Sequence, residues 1–193
     1  MNCKICKTIT TFSFRTKILN KYNVAYNRCP RCGFLFSEDP YWLKEAYDAP
    51  ICRSDTGILG RNLHFSKVSS VLIYFTLDPK GIFQDYAAGY GIFVRLMRDI
   101  GFDFCWSDKY SANLVARGFN CKEETKHYEA ITSFELLEHL ENPIVTIGEI
   151  LKKTDTLIFS TELLPDKISE MNDWWYFNPE EGQHISFYSL ETL

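Results

Sequence analysis

The sequence predicts a doubly wound α/β fold with a mostly parallel sheet, preceded by a small zinc-ribbon-like module. Three observations carry this reading. Two Cys-x-x-Cys pairs stand near the N-terminus, a strand–small-residue turn–helix pattern runs through residues 81–101, and an acidic residue closes the strand that follows it. At 193 residues with 46% hydrophobic and 16% aromatic content, the chain can bury a substantial core. We divide it into a zinc-binding module at 1–40 and an α/β domain at 41–193.

Cys3-x-x-Cys6 and Cys29-x-x-Cys32 are separated by 22 residues, a spacing suited to four thiolates on one tetrahedral zinc ion. Gly33 lets the backbone curl round the second pair. Four thiolates leave no open coordination position, so the expected role of the metal is structural. Tyr22, Val24 and Tyr26 alternate as on a half-buried strand. The remaining cysteines, Cys52, Cys105 and Cys121, read as core thiols. Residues 1–37 hold seven Lys or Arg and no acid, whereas the rest carries fourteen bases against twenty-five acids. Such a split suits either an anionic partner or an ordinary solvated surface. No apolar run reaches the length of a membrane span and no signal peptide is evident, so a cytoplasmic location is expected.

Residues 41–48 read as a short helix. A longer one is expected over 55–75, with Leu59, Leu63, Val68, Val71, Leu72 and Phe75 on its buried face. After Asp78-Pro79 comes Gly81-Ile-Phe-Gln-Asp85-Tyr-Ala-Ala-Gly89-Tyr-Gly91, then a helix up to Gly101. A second strand over 102–107 ends at Asp108, 23 positions beyond Asp85. In βαβ nucleotide sites an acid at about this interval grips the ribose hydroxyls, while small residues in the turn let the ligand approach the backbone.

The Asp85–Gly91 turn resembles motif I of the class I methyltransferases, Asp-x-Gly-x-Gly-x-Gly, with Ala87 in place of the first glycine. The resemblance extends over 41–193. Tyr128–Phe134 matches the fourth strand of that family, Glu135–Pro143 the following loop and helix start, and Thr156–Thr161 the fifth strand. Including Gln183–Ser189, the chain is similar to a bacterial subgroup, some members of which carry N-terminal zinc modules, and to sugar C-methyltransferases that join a Cys-x-x-Cys pair module to such a core. The third strand, near 119–121, is stubby, and the final helix and last two strands of the family are expected to be missing after Leu193. The resemblance implies S-adenosylmethionine as cofactor, contacted by Asp85, Tyr86, Ala87, Gly89, Gly91, Asp108, Lys109 and Phe134.

Methyl transfer needs alignment of nucleophile and methyl group, and removal of a proton. His139, with Glu138 and His184, is the candidate catalytic set, and a histidine titrating near neutrality suits the base. Glu135-x-x-Glu138-His139 also resembles a run found in ubiquinone-pathway O-methyltransferases and small-RNA 2′-O-methyltransferases. That resemblance implies a divalent ion, Mg²⁺ or Mn²⁺, held by Glu135, Glu138, His139 and His184, with the two glutamates three apart on one helical face. A purely structural role for these residues stays open. Trp174–Phe177 and Tyr188 suit core packing or a substrate wall. The expected acceptor is a small molecule such as a sugar or nucleotide-linked sugar, its anionic part met by the zinc module. RNA methylation and a non-catalytic binding role are the alternatives.

Overall fold

The computed structural model describes residues 1–48, 55–165, 167, 171 and 173–193. Cys52 lies outside them. The chain divides into two compact units, one of Met1–Ala49, Glu135–Ile147 and Ser160–Leu193, the other of Pro50–Phe134 and Gly148–Phe159. The expected boundary after residue 40 falls inside the first unit, because segments distant in sequence complete the N-terminal sheet.

That sheet is antiparallel, in the order β1 (Thr11–Ile18), β2 (Tyr22–Arg28), β3 (Leu35–Ser37), β8 (Ser186–Phe187). Val24 and Tyr26 of β2 are buried as the alternation predicts. They pack with Leu35, Trp42, Tyr176, Phe177 and Phe187 in one aromatic core. Phe14 stacks on Tyr26 with centroids 5.0 Å apart, and Phe177 meets both rings edge-on. Burial of a ring this size stabilises by roughly 2 kcal/mol. Tyr176, Phe177 and Tyr188 are therefore core, while Trp175 is exposed. The short helix α1 (Leu43–Ala46) is fastened through the Trp42 indole N–H, which donates to the Gly182 carbonyl at 2.9 Å.

The second unit contains helix α2 (Ile58–Thr76), β4 (Ile82–Tyr86), α3 (Ile92–Ile100), β5 (Asp103–Ser107), β6 (Ala130–Ser133) and β7 (Leu157–Phe159); helix α4 (Pro143–Leu151) carries the chain across the division between the units. The sheet is parallel throughout, in the order β5-β4-β6-β7. On one face Phe83 stacks on Phe104 at 5.0 Å and Phe93 meets Phe104 edge-on. On the other, Tyr128, Ile131 and Ile150 pack together. The stubby third strand survives as one parallel bridge, Trp106 to Asn120.

Three sequence expectations need correction. Helix α2 turns Ser66, Ser69 and Ile73 inward, and leaves Leu59, Leu63, Val68, Val71, Leu72 and Phe75 exposed. The serines fit on this face because their volume is small, and the Ser66 hydroxyl has a local partner, donating to the Leu63 carbonyl. Cys105 and Cys121 are not core thiols but a disulfide. Each cysteine neighbours a member of the Trp106–Asn120 bridge in sequence, and their Cα atoms lie 4.8 Å apart. Finally, Glu135 does not share a helical face with Glu138. It takes a left-handed conformation (φ 53°), and only Leu137–His139 forms a single 3₁₀ turn.

Candidate functional site

In the second unit, β4 ends in the turn that the motif marks. Ala87, Gly89 and Gly91 all adopt positive φ, at 59°, 51° and 85°. Ala87 thus holds the conformation of the glycine it replaces, at a cost of about 1 kcal/mol for a residue with a Cβ. A Cβ on Gly89 would meet nothing within 4 Å, so its surface is open to a ligand, whereas one on Gly91 would lie 2.9 Å from the Ala116 Cβ. Gly91 starts α3 against the following loop.

Asp108 stands at the end of β5, as expected for the ribose-binding acid, but its carboxylate already has partners. Oδ2 accepts the Gly89 N–H at 2.8 Å, and Oδ1 accepts those of Tyr110 and Ser111 at 2.7 Å each. Two oxygens offer about four lone pairs, so the three backbone N–H groups leave room for one further donor. The Trp106 indole donates to the Gly89 carbonyl at 2.9 Å, holding the turn from its other side. Asp85 is buried and accepts the Thr132 hydroxyl at 2.7 Å, fastening β4 to β6. Burial, aided by the Asp108 charge, pushes its carboxyl up to about 7. Tyr86 is half-buried on the opposite sheet face, and burial raises its phenol too. Lys109 is exposed, its ammonium 5.1 Å from the Tyr110 ring centroid. Phe134 stacks on Phe65 at 4.3 Å and meets Phe93 edge-on. Its observed contacts are packing contacts.

In the first unit, Glu138, His139 and His184 converge, each offering a ligand atom within 4.8 Å of the others. Glu138 is fully buried. His139 Nδ1 lies 3.2 Å from the Gln183 carbonyl and 2.9 Å from the Tyr47 hydroxyl, and His184 Nδ1 lies 2.5 Å from the Tyr176 carbonyl. A carbonyl only accepts, so a neutral His184 ring carries its proton on Nδ1, whereas His139 Nδ1 has both a carbonyl and a hydroxyl in reach and suits either tautomer. Burial, with His184 alongside, holds His139 down to about 3, not near neutrality as expected of a base. Glu135 is not part of the cluster: its Oε1 accepts the Ser160 hydroxyl at 2.7 Å. The positive φ at Glu135 breaks the helical register that would have aligned it with Glu138. Tyr47, Gln183, Tyr176 and Thr132 escaped the sequence reading as supports. Each lay in a segment that the reading had marked for its secondary structure, packing or family resemblance, not for support of the site.

The four cysteines of the same unit form the second cluster. Cys3 and Cys32 Sγ are 3.7 Å apart, Cys6 and Cys29 Sγ 3.4 Å. Four sulfurs about 2.3 Å from a tetrahedral zinc ion sit roughly 3.8 Å from one another, so the residues fit that ion. Burial pushes Cys32 up to about 12, while the Thr8 hydroxyl brings the Cys6 thiol down to about 6. A divalent cation is what would hold all four as thiolates. The Gly33 N–H closes the second knuckle onto the Cys29 carbonyl, and a Cβ on Gly33 (φ 75°) would collide with Ser189.

A parallel sheet with a glycine turn after its first strand and a carboxylate closing the next defines a nucleotide-binding α/β protein of the doubly wound class. Residues 65–193 match the family described as "Methyltransferase domain". The chain belongs to that family and is a class I S-adenosylmethionine-dependent methyltransferase. Among solved structures, it is similar to magnesium protoporphyrin IX methyltransferase from Synechocystis PCC 6803 with bound S-adenosylhomocysteine, with 16% identity over 68% of this chain and 70% of that one, TM-score 0.48. It is also similar to the plantazolicin methyltransferase BpumL in complex with S-adenosylhomocysteine, with 13% identity over 78% and 65%, TM-score 0.48. No curated protein matches the sequence. Among the described residues no helix is long and apolar enough to cross a membrane.

Proposed function

We propose that this methyltransferase modifies an oxygen or carbon of a small hydroxylated metabolite, such as a sugar or nucleotide-linked sugar, and that Glu138, His139 and His184 handle the acceptor. The observation that carries this is the convergence of one carboxylate and two imidazoles, with both Nδ1 atoms turned to backbone carbonyls. The cofactor end is assigned to the Asp85–Gly91 turn and Asp108. In sequence, Glu138 follows the end of β6 by five residues.

The acceptor hydroxyl must lose its proton as the methyl group arrives. An imidazole held down to about 3 is a weak base for this, yet it is neutral at any working pH, which is the form a metal ligand needs. The cluster therefore supports a divalent-ion site better than a lone general base. Two imidazole nitrogens and one carboxylate suit Mn²⁺ or a similar ion better than Mg²⁺. Such an ion would acidify a bound hydroxyl and orient it. The seven bases of residues 1–37 support an anionic group on the acceptor, and they are also what an RNA acceptor would use.

The test is S-adenosylhomocysteine release over a panel of sugar nucleotides, simple vicinal diols and short RNAs, with added Mn²⁺ and with zinc content monitored. Turnover on a small hydroxylated acceptor is expected, lost in His184→Ala with cofactor affinity kept. Turnover on RNA alone would overturn the substrate class. Full activity of His139→Ala/His184→Ala would remove the cluster from the reaction.

A further inference from the structure

Helix α2 is apolar on the side that faces solvent. Ser66, Ser69 and Ile73 point inward, while Leu63, Val68, Val71, Leu72, Tyr74 and Phe75 are exposed, Val71 at 61% and Phe75 at 77%. An exposed apolar stripe of this extent is normally covered by a partner. We propose that the outer face of α2 docks against α2 of a second copy of this chain, antiparallel, about a two-fold axis near Val71.

Charge selects this occupant and this direction. The helix carries Arg61, His64 and Lys67 in its first half and no acid anywhere along its 19 residues. Arg61 is engaged by Asp55 at 2.8 Å, which leaves His64 and Lys67 flanking the apolar face. Just beyond the C-terminal end stands exposed Asp78. A partner for this face must offer an apolar stripe together with an acid, and the chain itself offers both. With Val71 opposite Val71, antiparallel pairing places Lys67 over the partner's Phe75 ring and His64 next to the partner's Asp78. Opposed helix dipoles favour the same direction. Parallel pairing would set Lys67 beside Lys67. The contact is isologous, so it closes at two copies and does not propagate.

Sedimentation equilibrium on the full chain tests this. The apparent mass should rise with concentration towards twice the 22.5 kDa chain. Val71→Glu should remain monomeric with an unchanged circular dichroism spectrum, since that side chain is exposed. His64→Glu, which sets two acids against each other, should weaken association roughly tenfold, and His64→Glu/Asp78→Lys should recover it, a pattern that general destabilisation would not produce. A wild-type monomer at about 100 µM, well above the Kd of a weak but specific interface, would overturn the proposal. So would a dimer that survives Val71→Glu, or a monomer that floats with anionic phospholipid vesicles, which would assign the face to a membrane surface.

Discussion

The Gly89 N–H and the Asp108 carboxylate form a 2.8 Å hydrogen bond that joins the glycine turn to the end of the neighbouring strand. Asp108 also caps the next loop through Tyr110 and Ser111. Its removal should therefore act twice. In Asp108→Ala, calorimetric affinity for S-adenosylmethionine should fall by more than about tenfold, as for loss of charge-assisted bonds. The ligand-free protein should also melt several degrees lower, roughly 4 °C or more for a cost above 1 kcal/mol. Unchanged affinity would take Asp108 out of the cofactor site, and an unchanged melt would show that its three backbone bonds contribute little.

Asp85 makes a pH-dependent contribution of opposite sign to that of an ordinary surface acid. Burial raises its carboxyl from 3.8 to about 7 in the folded chain. Below about pH 3 it is protonated in both states and has no effect. As pH climbs through this window the unfolded chain ionises and the folded one resists, so stability falls, and the loss is complete above about pH 7. Asp85→Asn, which can still accept from Thr132, should be more stable than wild type at pH 8, on the order of 2 kcal/mol, with the advantage fading towards pH 4.5. Denaturant melts at the two pH values give the answer. An equal difference at both would rule out titration of Asp85 as its source.

The Cys105–Cys121 disulfide joins residues 16 positions apart and closes the segment that contains Asp108. Reduction by a dithiol, which passes two electrons and two protons to the sulfurs, should loosen that segment. Cofactor affinity should drop several-fold, and Cys105→Ser/Cys121→Ser should reproduce the drop without further response to reductant. Equal affinity for oxidised and reduced protein would mean that the Trp106–Asn120 bridge and the Asp108 bonds hold the loop unaided.

Zinc removal should be felt well beyond the knuckles. The four cysteines pack with Phe34, Phe36, Leu137 and Tyr188, and the Tyr188 hydroxyl donates to the Leu137 carbonyl at 2.7 Å, next in sequence to Glu138. Cys29→Ser should therefore abolish turnover while S-adenosylmethionine still binds the second unit. Metal affinity should fall steeply as pH is lowered, because binding must drive protons off thiols that burial keeps protonated. Elemental analysis showing well under one zinc per chain in protein never exposed to chelator would refute the site.

What was legible in the sequence is what lies within a short stretch of it. The Asp85–Gly91 turn, Asp108 and the two cysteine pairs were readable because each is a local pattern with one chemical purpose. Helix α2 misled because apolar residues read as buried, whereas small serines were chosen for its inner face. The Cys105–Cys121 pair was hidden by a third strand too short to give a periodic signal. At the Glu138 cluster three of the four named residues lie together, but a shared helical face was assumed where Glu135 turns left-handed. The hold of Tyr47 on His139 depends on contact between residues 92 positions apart, for which one sequence offers no cue.

Strand β8 also sets a timetable for synthesis. The N-terminal sheet lacks its fourth strand until Ser186 and Phe187 exist, and the Cys32 carbonyl lacks the hydroxyls of Ser189 and Thr192, which bond it at 3.0 and 2.6 Å. At about 5–20 residues per second, some ten to thirty seconds separate translation of the last zinc ligand from that of the strand that covers it. During that interval the second unit can already be folding, while the nascent module holds at most its metal and a three-stranded edge. The first strands of the module thus wait on residues translated long after them, and a stop before Ser186 would leave that early structure without its latch.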